Sequence, residues 1–138
     1  MTKLEDVTII ALEEELLRYK KALKSLTEQL SPIFDGSIEG VFIYLDSEHK
    51  SCNKRLADMF GYTPLQWSEL YPFEHFFTEK SKDEIMVSYY ERIIAEKAPI
   101  EMRFTGVKKN GSTFNARLLM VPISYKNLIF ALGFVELV

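Results

Sequence analysis

The chain has 138 residues, 47% of them hydrophobic, which is enough for one core of ordinary size. Its formal net charge is -3, with acidic and basic residues interspersed, so charge offers no ground for nucleic acid or an anionic membrane as partner. The lone cysteine, Cys52, excludes an internal disulfide, and no basic-then-apolar leader opens the chain, so the cytoplasm is the expected location.

Residues 1–31 are expected to form one long amphipathic helix. Ile9, Leu12, Leu16, Tyr19, Leu23, Leu26 and Leu30 follow one another by alternating steps of three and four, an uninterrupted heptad seam. Thr2 and Glu5 read as a capping box at its start, and Ser31-Pro32 as its stop. Such a seam predicts a parallel homodimer with Glu15 facing Lys20 of the partner. The same face could also lie on the chain's own domain. The run Glu13-Glu14-Glu15 reads as a solvated face, because adjacent helical residues point apart.

From Gly40 the pattern changes to short strands and capped helices. The apolar run Val41 to Leu45 breaks at Asp46-Ser47-Glu48 and resumes at His49 to Cys52. Asn53 suits the N-cap of a helix over Lys54 to Phe60, and Gly61 suits the left-handed residue after it. Thr63-Pro64-Leu65-Gln66 provides cap, first-turn proline and capping-box partner for the next helix.

Ser81 and Glu84 read as a further capping box, opening a helix that Ala98-Pro99 stops. Ile85, Tyr89 and Ile93 recur every four residues along it, with Met86, Tyr90 and Ile94 beside them. Ile100 to Lys108 alternates, with Met102 and Phe104 on one face and Glu101, Arg103 and Thr105 on the other. Asn110-Gly111 turns the chain into Thr113 to Ser124, where Phe114, Ala116, Leu118 and Met120 share a face. Two strands, Val41 to Leu45 and Leu128 to Val135, are apolar on both faces and so belong at the centre of a sheet covered on both sides. Helices from residues 54 to 98 cover one side. The N-terminal helix or a partner subunit is expected to cover the other, over Leu119, Val121 and Phe134.

The order of Asn53, helix, Gly61-Tyr62-Thr63, then Glu101-Met102-Arg103, Lys108 to Phe114, Pro122 and Leu132 to Leu137 resembles the PAS domain, a sensory module. The resemblance covers about residues 33 to 138. It implies an α+β fold with a five-stranded antiparallel sheet in the order 2-1-5-4-3, helices on one face enclosing a pocket, and dimerisation through an N-terminal helix. The domains are then an amphipathic coiled-coil helix over residues 1–31 and a PAS domain over 32–138. Such domains sit in histidine kinases, nucleotide cyclases, phosphodiesterases or transcription regulators, so an output domain in a longer parent protein is expected.

The signal is less legible. The flavin-binding branch of the family carries an Asn-Cys-Arg motif that has no match between Tyr71 and Thr78, and the positions aligned with its flavin-facing polar residues are Gly106, Ala116 and Val135. Haem-binding members use a histidine on the long helix, whereas Lys82 to Lys97 holds none, which leaves haem through His75 as a weaker alternative. Metal binding is not expected, since His75 with Glu74 or Glu79 lacks chelating spacing. The expected pocket is apolar, built from Leu56, Met59, Phe60, Tyr89, Tyr90, Ile93, Met102, Phe104, Leu118 and Met120, with Tyr90 as its polar handle. A filled core and a small apolar ligand both fit that list. No catalytic constellation is present, since two distant histidines and the exposed-looking Glu39, Asp58 and Glu101 fill no set of roles. The reading is therefore a non-enzymatic sensory and dimerisation module, the alternative being a purely structural interaction module without ligand.

Overall fold

The computed structural model describes residues 3–138. Helix α1 spans Lys3–Gln29 and, after a break at Leu30, leads into the short α2, Ser31–Gly36, with Pro32 in its first turn. Thr2, expected as the cap of α1, lies outside the described residues. Strands β1 (Gly40–Asp46) and β2 (His49–Cys52) form a hairpin, and three short helices follow: α3 (Lys54–Phe60), α4 (Pro64–Glu69) and α5 (Pro72–His75). Helix α6 (Glu79–Ser88) continues into a π-helical stretch, Tyr89–Ala95. The chain then closes with β3 (Ile100–Val107), β4 (Thr113–Tyr125) and β5 (Leu128–Leu137).

The caps carry the local logic. The Asn53 side chain accepts from the Leu56 N–H, and Gly61 takes φ 85° behind α3. Around α4 the Thr63 and Gln66 side chains close a reciprocal capping box. Ser81 departs from expectation. It sits inside α6, whose N-cap is Thr78, and its Oγ accepts from the Thr105 N–H of β3 at 2.8 Å. A tertiary bond thus uses a hydroxyl whose spacing to Glu84 mimics a cap.

All five strands pair antiparallel in the order β2-β1-β5-β4-β3. The β4–β5 turn is the two-residue Lys126-Asn127, both at positive φ, the turn whose twist matches that of the strands it joins. Two apolar layers result. On one face α3 to the π stretch pack on Phe104, Ala116, Leu118, Met120, Ala131 and Val135. On the other, Ala22, Leu26 and Phe34 pack on Val41, Ile43, Leu128, Phe130 and Leu132.

Helix α1 is divided by this packing. Its C-terminal half lies on its own sheet, with Ala22 and Leu26 buried and with Tyr19, Leu23 and Leu30 half-buried beside them. Hydrogen bonds pin it there: Thr27 to Ser51 at 2.9 Å, Ser25 to Tyr125 at 2.6 Å, and Gln29 Nε2 donating to the Tyr125 hydroxyl at 2.8 Å. Residues 3–18 are exposed throughout and, at 1.5 Å per residue, run about 24 Å beyond the seated half. No helix among the described residues is long and apolar enough to cross a membrane.

Candidate ligand cavity

Between the inner sheet face and the short helices lies a cavity with about 60 Å³ of free space. Its sheet wall is Phe42 and Tyr44 of β1, Phe104 of β3, Leu118 and Met120 of β4, and Val135 of β5. The period-2 alternation of each strand brings these side chains to one face. The opposite wall is Leu56 and Phe60 of α3, Trp67 of α4, Pro72, Phe73, Phe76 and Phe77 around α5, Ile85 of α6 and Tyr89 of the π stretch. Ring contacts stiffen that wall. Trp67 stacks on Phe76 at 5.3 Å and 6°, Phe60 lies 4.9 Å from Phe76, and Tyr44 meets Tyr89 edge-on at 5.3 Å. Each such pair contributes about 0.5–1.5 kcal/mol beyond its burial.

Glycine opposite an aromatic shapes the sheet wall. Phe42 pairs with Gly133 across the β1–β5 ladder, and a Cβ on Gly133 would overlap the Phe42 ring. The ring lies over the space that a larger residue would fill.

Polar groups stand around the apolar space rather than in it. The Tyr89 hydroxyl donates to the Leu45 carbonyl at 3.4 Å, and burial raises the pKa of both Tyr89 and Tyr44. Lys50, on the inner face of β2, is only 2% exposed. Its Nζ donates to the carbonyls of Ser47 at 2.7 Å and Ser68 at 3.0 Å, and sits 5.7 Å from the Trp67 ring centroid. Burial pulls its pKa down to about 8, against the raising influence of Asp46. Cys52 is buried as well, and burial pushes its thiol up to about 12, which leaves it without the thiolate that reactivity needs. The indole Nε1 of Trp67 is buried without a hydrogen-bond partner.

Of the ten expected pocket residues, Leu56, Phe60, Tyr89, Phe104, Leu118 and Met120 line the cavity. Four do not. Tyr90 is 57% exposed, because the π turn keeps the Ile85, Tyr89, Ile93 stripe inward and leaves its neighbour outside. Met59 faces an open groove with Lys54 and Asp58 on the far side of α3. Ile93 is fully buried and Met102 half-buried, both packed in the same core away from the free space. Phe42 and Tyr44 were not singled out because β1 is apolar on both faces, so its pattern does not say which side meets the cavity. The aromatics from Trp67 to Phe77 carried no helical period, because Pro72 divides that stretch between two short helices.

The other sites read from the sequence fall outside the cavity. His75 is exposed on α5, and His49 is bound through Nδ1 to Asp46 Oδ1 at 2.8 Å, edge-on to Tyr19. The free space lies far below the roughly 300 Å³ at which sites for drug-sized ligands begin, so neither haem nor flavin fits it. No cluster of three metal-ligating side chains occurs among the described residues. On the outer face Arg103 opposes Arg117, and Glu136 of β5 approaches Arg117 at 3.9 Å.

A sheet in the order 2-1-5-4-3, with helices on one face around an apolar cavity, defines a class of small α+β domains. The chain has the PAS fold. A PAS domain from Colwellia psychrerythraea matches with a TM-score of 0.68 at 16% identity, covering 82% of this chain and 97% of that one. A domain of a sensory box sensor histidine kinase/response regulator from Geobacter sulfurreducens matches at 0.60 and 19%, covering 80% and 93%. The PAS domain of a LuxR-family transcriptional regulator from Burkholderia thailandensis, solved in complex with ethanol, matches at 0.63 and 15%, covering 78% and 96%. Neither a protein-family model nor a curated sequence matches the chain.

Proposed function

We propose that this protein is a sensory and dimerisation module of a signalling protein, in which the cavity receives a small molecule and α1 passes the resulting shift to an output domain. The division of α1 carries this reading. One half of the helix is seated on the sheet whose opposite face walls the cavity, and the other half projects with Leu4, Ile9, Leu12 and Leu16 at least two-fifths exposed. A change in the cavity that moves β1 or β5 therefore moves the seated half, and the projecting half carries the motion outward. Similarity to domains of sensor kinases and a transcriptional regulator supports a sensory rather than an enzymatic role.

The pairing surface is shorter than the heptad seam. Tyr19, Leu23, Leu26 and Leu30 are turned toward the chain's own sheet, so Ile9, Leu12 and Leu16 remain for a partner helix, with the exposed Leu119 of β4 adding outer-face contact. Burying the exposed halves of six such side chains contributes on the order of 5 kcal/mol, before the entropic cost of association. Sedimentation velocity tests the pairing. The wild type is expected to be a dimer at high concentration, and Leu12→Glu with Leu16→Glu a monomer. A double variant that stays dimeric would remove α1 from the interface. A purely structural module predicts the same dimer, with no response to any cavity ligand.

A further inference from the structure

We infer that the free edge of β3 pairs with the same edge of a second copy, antiparallel about Met102, so that Glu101 of one chain faces Arg103 of the other. In the strand order β2-β1-β5-β4-β3 the last strand has β4 on one side only. Its odd-numbered residues turn their backbone groups to the other side. There the Thr105 N–H donates to Ser81 Oγ at 2.8 Å, the Thr105 carbonyl accepts from the Thr78 N–H at 3.2 Å, and the Val107 N–H donates to the Phe76 carbonyl at 2.9 Å. Glu101 and Arg103 continue that alternation, and among the described residues nothing bonds their edge-facing N–H and C=O groups. Such a row is a template for another strand.

Charge and hydrogen-bond phase together select a second copy as the occupant. Charged side chains on an edge ordinarily deter pairing, but here the two signs are set for a copy of the same strand. In an antiparallel pair centred on Met102, residues 101 and 103 stand directly opposite one another, and both turn their backbone groups to the edge. Each such pair exchanges two hydrogen bonds, so the two-fold contact makes four, with a Glu–Arg pair beside each set of bonds. Moving the centre to Glu101 or to Arg103 would set like charges opposite each other. Arg103 gains most, since within its own chain it has Arg117 opposite it and no ion pair among the described residues. An open recess lined by Lys80, Glu84, Arg103 and Thr105 leaves room beside the strand. The contact runs only from Ile100 to Phe104 on each side, far below the standard interface of about 800 Å² per partner, so it is weak and adds nothing at the concentrations of sedimentation. A dimer formed through α1 presents two such edges, so the contact links dimers into rows, where many weak contacts act together.

The ¹⁵N-labelled Leu12→Glu, Leu16→Glu variant, which lacks the α1 seam, isolates the edge in ¹H–¹⁵N correlation spectra. From about 50 μM to about 2 mM the Glu101 and Arg103 amide protons are expected to move downfield as they acquire partners, while those of Thr105 and Val107, already bonded, stay in place. Glu101→Arg alone and Arg103→Glu alone each set like charges across the contact and should weaken it roughly five- to tenfold, and the two together should restore it. Both side chains are exposed, so the fold tolerates the exchange. If the Glu101 and Arg103 signals do not respond to concentration, or the combined variant pairs as weakly as the single ones, the inference is overturned. The pairing of α1 is tested separately by sedimentation and is untouched by either result.

Discussion

Replacing Asn53 with alanine should cost more than a helix cap alone, because its amide is satisfied at every position. The carbonyl oxygen accepts from the Val41 N–H at 3.0 Å and the Leu56 N–H at 2.9 Å; the amide nitrogen donates to the Phe34 and Glu39 carbonyls, each at 3.1 Å. Four segments meet at one side chain that is 6% exposed: α2, the loop before β1, β1 itself and α3. Each bond contributes about 0.5–1.5 kcal/mol net, and truncation strands buried backbone groups, so a loss of about 3–4 kcal/mol is expected in Asn53→Ala. Asn53→Asp keeps the two acceptor bonds and loses the two donor bonds, with a charge now set against two carbonyls. It should be no more stable than the alanine variant at neutral pH. Urea denaturation followed by circular dichroism reads both, the slope m reporting whether unfolding remains two-state. A loss below about 1 kcal/mol in Asn53→Ala would refute the argument that this amide clips the two sides of the sheet together.

The buried Lys50 predicts a pH dependence with a definite sign. Its pKa falls from 10.5 to about 8 on folding, so between those values the unfolded chain holds a proton that the folded chain does not. Stability therefore rises with pH across that window, and below about pH 8 the cost of the buried charge, about 3 kcal/mol, is fully present. Cys52 acts the other way above about pH 9, since its thiol stays protonated in the fold up to about 12. Urea titrations from pH 7.5 to 9 should show a rising wild-type stability that Lys50→Met lacks, and parallel profiles would exclude Lys50 as the titrating group. Gly133→Ala forces the Phe42 ring off its seat, with about 1–3 kcal/mol of overpacking and a smaller cavity expected. Unchanged stability in that variant would show that the ring is not fixed by the glycine.

The elements most legible in the sequence were those whose reasons are local. Asn53, Gly61 and the Thr63-Gln66 pair act within one helical turn, and Gly111, at φ 88° in the β3–β4 turn, acts within two residues. Alternation in β3 and β4 placed Phe104, Leu118 and Met120 correctly, because a period of two leaves one assignment once a single residue is known to face inward. What failed needed tertiary information. Tyr89 and Tyr90 belong to adjacent apolar stripes, and only the π stretch decides which faces inward. The heptad of α1 serves equally for a partner helix and for a flat sheet, since both require apolar residues at steps of three and four. The position of β1 and β5 beneath residues 19–29 divides one seam into two uses.

The central claim is that the projecting half of α1 pairs and that the cavity moves it. A spin label at Glu14→Cys, on the exposed half of the helix, measures it by dipolar spectroscopy; the buried, protonated Cys52 is not expected to take up the label. One defined distance between the two labels of a dimer is expected, with a shift in that distance when a small apolar molecule occupies the cavity. The absence of dipolar coupling, or the same distance with the cavity filled and empty, would contradict it.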